Sequence, residues 1–191
     1  MKRACIFCAS SKHVSEEWIA ETKRWVEKLH EAGYGVVYGG GSIGLMGAVA
    51  DAATEFGMPI RAVIPRTFVE SGWLDGRMTD VCLVDTLSER KEKMIDDSDV
   101  IIVLPGGSGT LDELAFAVEM KKLAMHHKHI IVGNFDHFYD HFVALFDRFL
   151  ESKVINASHA RLFEVVETAE EMIKIAESEA DETRTLKDAV V

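Results

Sequence analysis

Cysteine is scarce in this chain. Three residues, an odd number, do not make a disulfide framework, and they suit a reducing cytoplasm. Long apolar runs are missing as well: none reaches the roughly 18 residues that a membrane-spanning helix needs. The apolar stretch near the start, Ala4 to Ala9, is too short for a signal peptide and reads as a first strand. Positive charge is in deficit, with 21 Lys and Arg against 32 Asp and Glu and a formal net charge of -11. That balance excludes general nucleic-acid binding, which needs a basic face to neutralise phosphates. An anionic small molecule is still admissible where attraction is local. The pattern shows no internal repeat and no linker, and 191 residues suffice for one domain with a sizeable core.

Apolar runs alternate with helix-forming segments along the whole length. Strands are expected at 2–9, 36–38, 59–64, 81–84, 100–104, 129–132 and 162–166. Helices are expected at 16–31, from the glycines near 44 to about 56, after Thr86, at about 111–126, at 139–150 and after Thr168. Ser15 is an N-cap candidate, and Thr86-x-x-Glu89 has the spacing of a capping box. Residues 66–80 show no period and read as a mobile loop, and the charged tail from 177 to 191 is expected to fray. The fold class that follows is α/β, a Rossmann-like doubly wound parallel sheet in a single domain over residues 1–176.

Two glycine-rich turns stand where a strand passes into a helix. The second, Pro105-Gly106-Gly107-Ser108-Gly109-Thr110-Leu111-Asp112-Glu113, follows the run Val100 to Leu104. Glycines there let a ligand approach the backbone, and the free N–H groups of a first helical turn attract an anion. The turn lacks Gly-Lys-Ser/Thr, so it is no nucleoside-triphosphate P-loop. Thr110 with Glu113 has capping-box spacing, which is one role for that carboxylate. The other is chemical: in a first turn the helix dipole favours its ionised form, which suits a base more than a general acid. The first turn, Gly39-x-Gly41-x-x-Gly44, matches the dinucleotide fingerprint by letter. The next strand offers Arg61 and Arg66 in place of a ribose-binding carboxylate, so NAD is disfavoured and NADP stays an alternative. Glycines needed only for tight packing are another. Two such turns at the carboxyl ends of parallel strands suggest a phosphorylated, nucleotide-like ligand.

Arg90 and Lys91 are either a solvated pair or partners of an anion or of Glu113, since positive charge near a helix start is otherwise unfavourable. The histidines at 126, 127, 129, 137 and 141 match no zinc template, and Cys5-x-x-Cys8 lies along a strand, so neither a metal nor a redox role is expected. No lysine stands in a cofactor motif and no serine in a nucleophile elbow. No cofactor is expected.

Four pieces in order resemble the Lonely Guy family, cytokinin riboside 5′-monophosphate phosphoribohydrolases once labelled lysine decarboxylases. They are Cys5 to Ser11, Val37 to Gly47, Glu89-Arg90-Lys91-x-x-Met94 and Pro105 to Glu113. The resemblance implies hydrolysis of the N-glycosidic bond of a nucleoside 5′-monophosphate such as AMP, with Arg90 and Glu113 as the catalytic pair. It implies nucleotide binding by Gly106, Gly107, Gly109 and Thr110, and a homodimer or higher homo-oligomer. Ser10, Gly40, Gly41, Ser42, Lys91, Met94 and Ser108 complete the candidate substrate-binding set, and Glu70 is a further candidate contact. The chain departs from the family pattern at Leu87-Ser88, Glu119 to Lys122, Lys128-His129 and Asp136 to Tyr139, around the base pocket and dimer surface as the resemblance places them. A non-catalytic nucleotide or cofactor carrier on the same fold is the competing function.

Overall fold

The computed structural model describes residues 1–180 together with 183 and 185, so most of the expected tail lies outside the described residues. Seven parallel strands form one sheet: β1 (Arg3–Phe7), β2 (Gly35–Tyr38), β3 (Ile60–Pro65), β4 (Asp80–Val84), β5 (Val100–Val103), β6 (Ile130–Gly133) and β7 (Glu164–Val166). Their order is β4-β3-β2-β1-β5-β6-β7. The order reverses between β1 and β5, which is where an open α/β sheet leaves a crevice at its carboxyl edge.

The helices are α1 (Glu16–Glu31), α2 (Gly44–Glu55), α3 (Arg66–Glu70), α4 (Leu87–Asp96), α5 (Ser108–Lys122), α6 (Asp140–Glu151) and α7 (Ala169–Ala176). Side chains alternate across the central strands. Ala4, Ile6, Val36, Tyr38, Ile102 and Leu104 pack with Trp25 and Leu29 of α1, Leu45 and Val49 of α2 and Met172 of α7. Cys5, Phe7, Val37, Val63, Ile101 and Val103 pack with Met94 and Ile95 of α4 and Leu114 and Ala117 of α5. Both faces are therefore covered, which explains why the strands read as unbroken apolar runs. No helix among the described residues is long and apolar enough to cross a membrane.

Local signals act as their spacing predicts at three helix starts. The Ser15 side chain accepts from Trp18 N–H. Thr86 with Glu89 and Thr168 with Glu171 each close a reciprocal capping box. Two expectations fail. Residues 66–80 are not a loop throughout, because α3 follows directly on Pro65, whose φ of -61° suits entry into a helix. One and a half turns are too short to register as a period. The other failure is at α5, which begins at Ser108 with Gly107 as its N-cap and no side-chain cap. Thr110 and Glu113 thus lie inside the helix and form no capping box.

The first glycine turn packs against the segment that follows β1. Met46 N–H donates to the Ala9 carbonyl at 3.2 Å, and Gly44, at φ +65°, faces the backbone of Ala9 and Ser11. A Cβ on Gly44 would stand 2.5 Å from the Ser11 carbonyl oxygen, whereas one on Gly57, at φ +64°, meets nothing within 4 Å. Gly57→Ala is expected to cost only the left-handed penalty of about 1–2 kcal/mol. Gly44→Ala adds a backbone collision and should cost clearly more, read as a larger drop in urea midpoint. Equal midpoints for the two variants would contradict this packing role.

Candidate active site

A cavity of about 520 Å³ opens at the carboxyl edge of β1, β2, β3 and β5. Its volume falls in the range of small-molecule sites. Its only charged lining side chains among the described residues are Arg90 and Glu113.

Glu113 projects from the second turn of α5 and is 8% exposed. Burial is the main reason its carboxyl is pushed up from the ordinary 4.5 to about 7, with Arg90 and Lys91 opposing and Asp112 assisting the rise. The sequence reading placed this residue in the first turn, ionised by the helix dipole. The structure corrects that: starting α5 three residues earlier takes Glu113 away from the helix end and into a desolvated wall.

Arg90 comes from α4. Its Nε donates to the Val63 carbonyl at 3.1 Å and its Nη2 lies 3.4 Å from the Gly39 carbonyl. Nη1 stands 3.4 Å from Glu113 Oε1, an ion pair without direct hydrogen-bond geometry. Gly39 makes room for this: a Cβ there would overlap the Arg90 guanidinium. The expectation that Arg90 partners Glu113 thus has a geometric basis, and the solvated-pair alternative does not hold for it.

The second glycine turn supplies the polar end of the cavity. Gly107, Ser108, Gly109 and Thr110 line it. Leu111 N–H closes the first intrahelical bond to the Gly107 carbonyl, so the N–H groups of residues 108–110 have no helical acceptor. Three such donors with the positive helix end have the chemistry to suit an anion, even in an acidic protein. Gly106 is needed behind it, because a Cβ would collide with the Thr110 side chain. The strand end below is held by Tyr139, whose hydroxyl donates to the Leu104 carbonyl at 2.9 Å. Tyr139 N–H in turn donates to Asn134 Oδ1 at 2.7 Å.

Of the residues singled out in the sequence, Ser10, Gly41, Ser42, Met94, Gly107, Ser108, Gly109 and Thr110 meet Arg90 and Glu113 around this cavity. Gly40, Gly106 and Lys91 do not line it. Lys91 instead holds both Asp112 carboxylate oxygens, at 2.7 and 2.9 Å, with its ammonium 4.7 Å from the Phe116 ring centroid. Glu70, on α3, is exposed and outside the lining. Arg61 lies near the amino end of β3 and pairs with Asp80 and Asp97, while Arg66 pairs with Asp85. Neither reaches the cavity, so the NADP alternative loses its motivating residue. His126 Nε2 lies 3.0 Å from the Ala117 carbonyl, and His129 and His137 face Glu164 and Asp140.

Sequence reasoning missed Cys8, Gly39, Ile43, Met46, Phe68 and Trp73, all of which line the cavity. Gly39 and Met46 stood inside a quoted motif. Phe68 and Trp73 sat in the stretch without a period.

A raised carboxyl pKa has a sign. The folded chain keeps the Glu113 proton between about 4.5 and 7 while the unfolded chain releases it, so stability falls as pH rises through that window. Glu113→Gln removes the penalty. It should stabilise the protein by up to about 3 kcal/mol at pH 8 and by almost nothing at pH 4. Thermal melts across pH check this, and a loss of stability at pH 8 would contradict it.

Comparison with known proteins gives concordant results. A family model described as possible lysine decarboxylase matches residues 46–176. The chain is 34% identical over 172 residues to the probable cytokinin riboside 5′-monophosphate phosphoribohydrolase LOGL3 of Oryza sativa subsp. japonica, covering 90% of this chain and 82% of that protein. It is 33% identical over 177 residues to the cytokinin riboside 5′-monophosphate phosphoribohydrolase LOG5 of Arabidopsis thaliana, covering 93% and 78% respectively. Among solved structures it is similar to the molybdenum cofactor carrier protein of Chlamydomonas reinhardtii, with TM-score 0.69 and 17% identity over 91% of this chain and 95% of that one. At that identity the likeness is one of fold.

Proposed function

This chain belongs to the possible lysine decarboxylase family, the Lonely Guy family, and from that premise we propose that it hydrolyses the N-glycosidic bond of a nucleoside 5′-monophosphate. The products are a free base and ribose 5-phosphate. The observation that carries the reading is the buried Glu113 carboxyl beside the Arg90 guanidinium, in one cavity with the unpaired amides of residues 108–110.

Each part has a task. The amides of Ser108, Gly109 and Thr110 take the 5′-phosphate, so binding energy remote from the reacting bond orients the sugar. Cleavage sends the electron pair of the C1′–N bond to the base and leaves oxocarbenium character on the ribose, as in other glycoside hydrolysis. Ionised Glu113 stabilises that charge and takes the proton of the water that adds to C1′; the base nitrogen takes one proton from solvent as it departs, and Glu113 returns one to solvent, so the sum is the addition of one water. Arg90, fixed on two backbone carbonyls, favours the carboxylate and offsets part of the desolvation that opposes it. A homodimer or larger homo-oligomer acting in the cytoplasm is part of the same proposal, and sedimentation of the purified chain reads its size.

Incubation with AMP and an isopentenyl-type AMP, with chromatographic identification of base and ribose 5-phosphate, tests the reaction. Release of base is expected from at least one, with kcat reduced by a factor of about 100 or more in Glu113→Gln. Because the working form is the carboxylate, kcat/KM should fall as pH drops below about 7. Gly39→Ala, which displaces the Arg90 guanidinium, should lower kcat with a small change in melting temperature. Tight AMP binding with no base released from any nucleotide monophosphate would return the chain to the carrier reading.

A further inference from the structure

The sheet is irregular where β5 passes into the second glycine turn. β1 and β5 pair in parallel, with Ala4 to Phe7 opposite Val100 to Val103. Leu104 N–H then donates to the Phe7 carbonyl at 2.9 Å. In unbroken register the next bond would run from Ala9 N–H to the Leu104 carbonyl. Ala9 N–H donates to the Pro105 carbonyl instead, at 3.0 Å. The pairing has slipped by one residue, and the Leu104 carbonyl has lost its ladder donor. Leu104 is buried, so that oxygen needs another partner.

Tyr139 supplies it. Its hydroxyl donates to the Leu104 carbonyl at 2.9 Å, and burial pushes the phenol up, so it stays a donor across the neutral range. The segment that delivers this hydroxyl is fixed from several sides. Asn134, just past β6, is buried; its Oδ1 accepts from Tyr139 N–H at 2.7 Å and its Nδ2 donates to Asp140 Oδ1 at 2.8 Å. Its own N–H donates to the Val166 carbonyl of β7 at 2.8 Å. Trp18 Nε1 of α1 donates to the Asp136 carboxylate at 2.7 Å.

This placement has a backbone cost. Asp136, at φ +48°, and His137, at φ +60°, are consecutive residues in the left-handed region, which side chains with a Cβ adopt at a penalty. A strained turn persists where the structure around it over-determines it, and such turns gather at functional sites. What this one delivers is a single hydroxyl, placed on the last carbonyl before Pro105.

We propose that Tyr139 is a positioning residue for the turn before α5: its hydroxyl replaces the ladder bond that Ala9 gives up, and so fixes where the chain leaves the sheet on its way to the amides of residues 108–110. This inference rests on the nucleotide reading above and assigns a residue to its phosphate end. Without the hydroxyl, Ala9 N–H and the Leu104 carbonyl are free to pair in the regular register, which draws the turn back along β1. Those amides must then be returned to place each time an anion binds, and that reordering is subtracted from its affinity. A ligand with no phosphate makes no such demand on the turn.

The test removes one oxygen atom, in Tyr139→Phe, and compares two ligands by calorimetry: ribose 5-phosphate, which engages the turn, and adenosine, which has no phosphate. Ribose 5-phosphate should bind about fivefold more weakly than to the native chain, the scale of one neutral hydrogen bond, and adenosine as before. A merely structural hydroxyl would lower the melting temperature and leave ribose 5-phosphate binding unchanged, and that result overturns the proposal. Equal weakening of both ligands overturns it too. If Tyr139→Phe does not fold, Asn134→Ala, which frees the Tyr139 backbone and keeps the hydroxyl, should give the same split between the ligands; no split there overturns the proposal. Weaker ribose 5-phosphate binding in Tyr139→Phe, with no base released from any nucleotide by the native chain, overturns the hydrolase reading and leaves the role of Tyr139 standing.

Discussion

A carboxyl group taken out of water beside a guanidinium is the constraint on which the rest of the site depends. Burial alone would keep Glu113 neutral far above the usual range; Arg90, 3.4 Å away, brings it back to about 7. That balance needs Arg90 to stay put, and it does so because the Val63 and Gly39 carbonyls accept from it. One carbonyl lies within β3 and the other just after β2, so the sheet itself fixes where Arg90 sits. Isolated buried charges are costly, and Arg90 offsets only part of that cost for Glu113. The site trades stability for a group poised to exchange a proton near neutral pH.

The two glycine turns look alike as letters and act differently. The turn before α2 spends its glycines on packing, with Gly44 against the Ser11 backbone and Met46 N–H on the Ala9 carbonyl. The turn before α5 keeps its amides free, with Gly106 yielding space to Thr110 behind it. Both border the cavity, the first through Gly39 and Gly41 and the second through Gly107 to Thr110. The N–H groups of residues 108–110 at the start of α5 make a local positive end within an acidic chain.

Much of this was legible in the residues. The parallel sheet followed from alternating apolar runs and helical segments, and the caps at Ser15, Thr86 and Thr168 act where their spacing put them. Thr110-x-x-Glu113 has the same spacing as Thr86-x-x-Glu89 and misleads, because helix α5 starts at Ser108, where the glycine turn packed against Thr110 allows it. Capping spacing is a local signal, and here tertiary packing overrode it. Lys91, next to Arg90 in sequence, points instead to Asp112, since neighbours on a helix face different ways. The arm carrying Phe68 and Trp73 was illegible for a simpler reason. A five-residue helix and a braced turn leave no period, and its anchor is a long-range contact to Gly40 and Asp51.

The central claim is geometric: one ligand spans the α5 amides and the Glu113–Arg90 pair. A crystal structure of the protein soaked with ribose 5-phosphate measures it directly. The account predicts the phosphoryl oxygens on the N–H groups of Ser108, Gly109 and Thr110, with C1 facing the Glu113 carboxyl. A phosphoryl group bound at the α2 turn, or a C1 atom out of reach of Glu113, would contradict it.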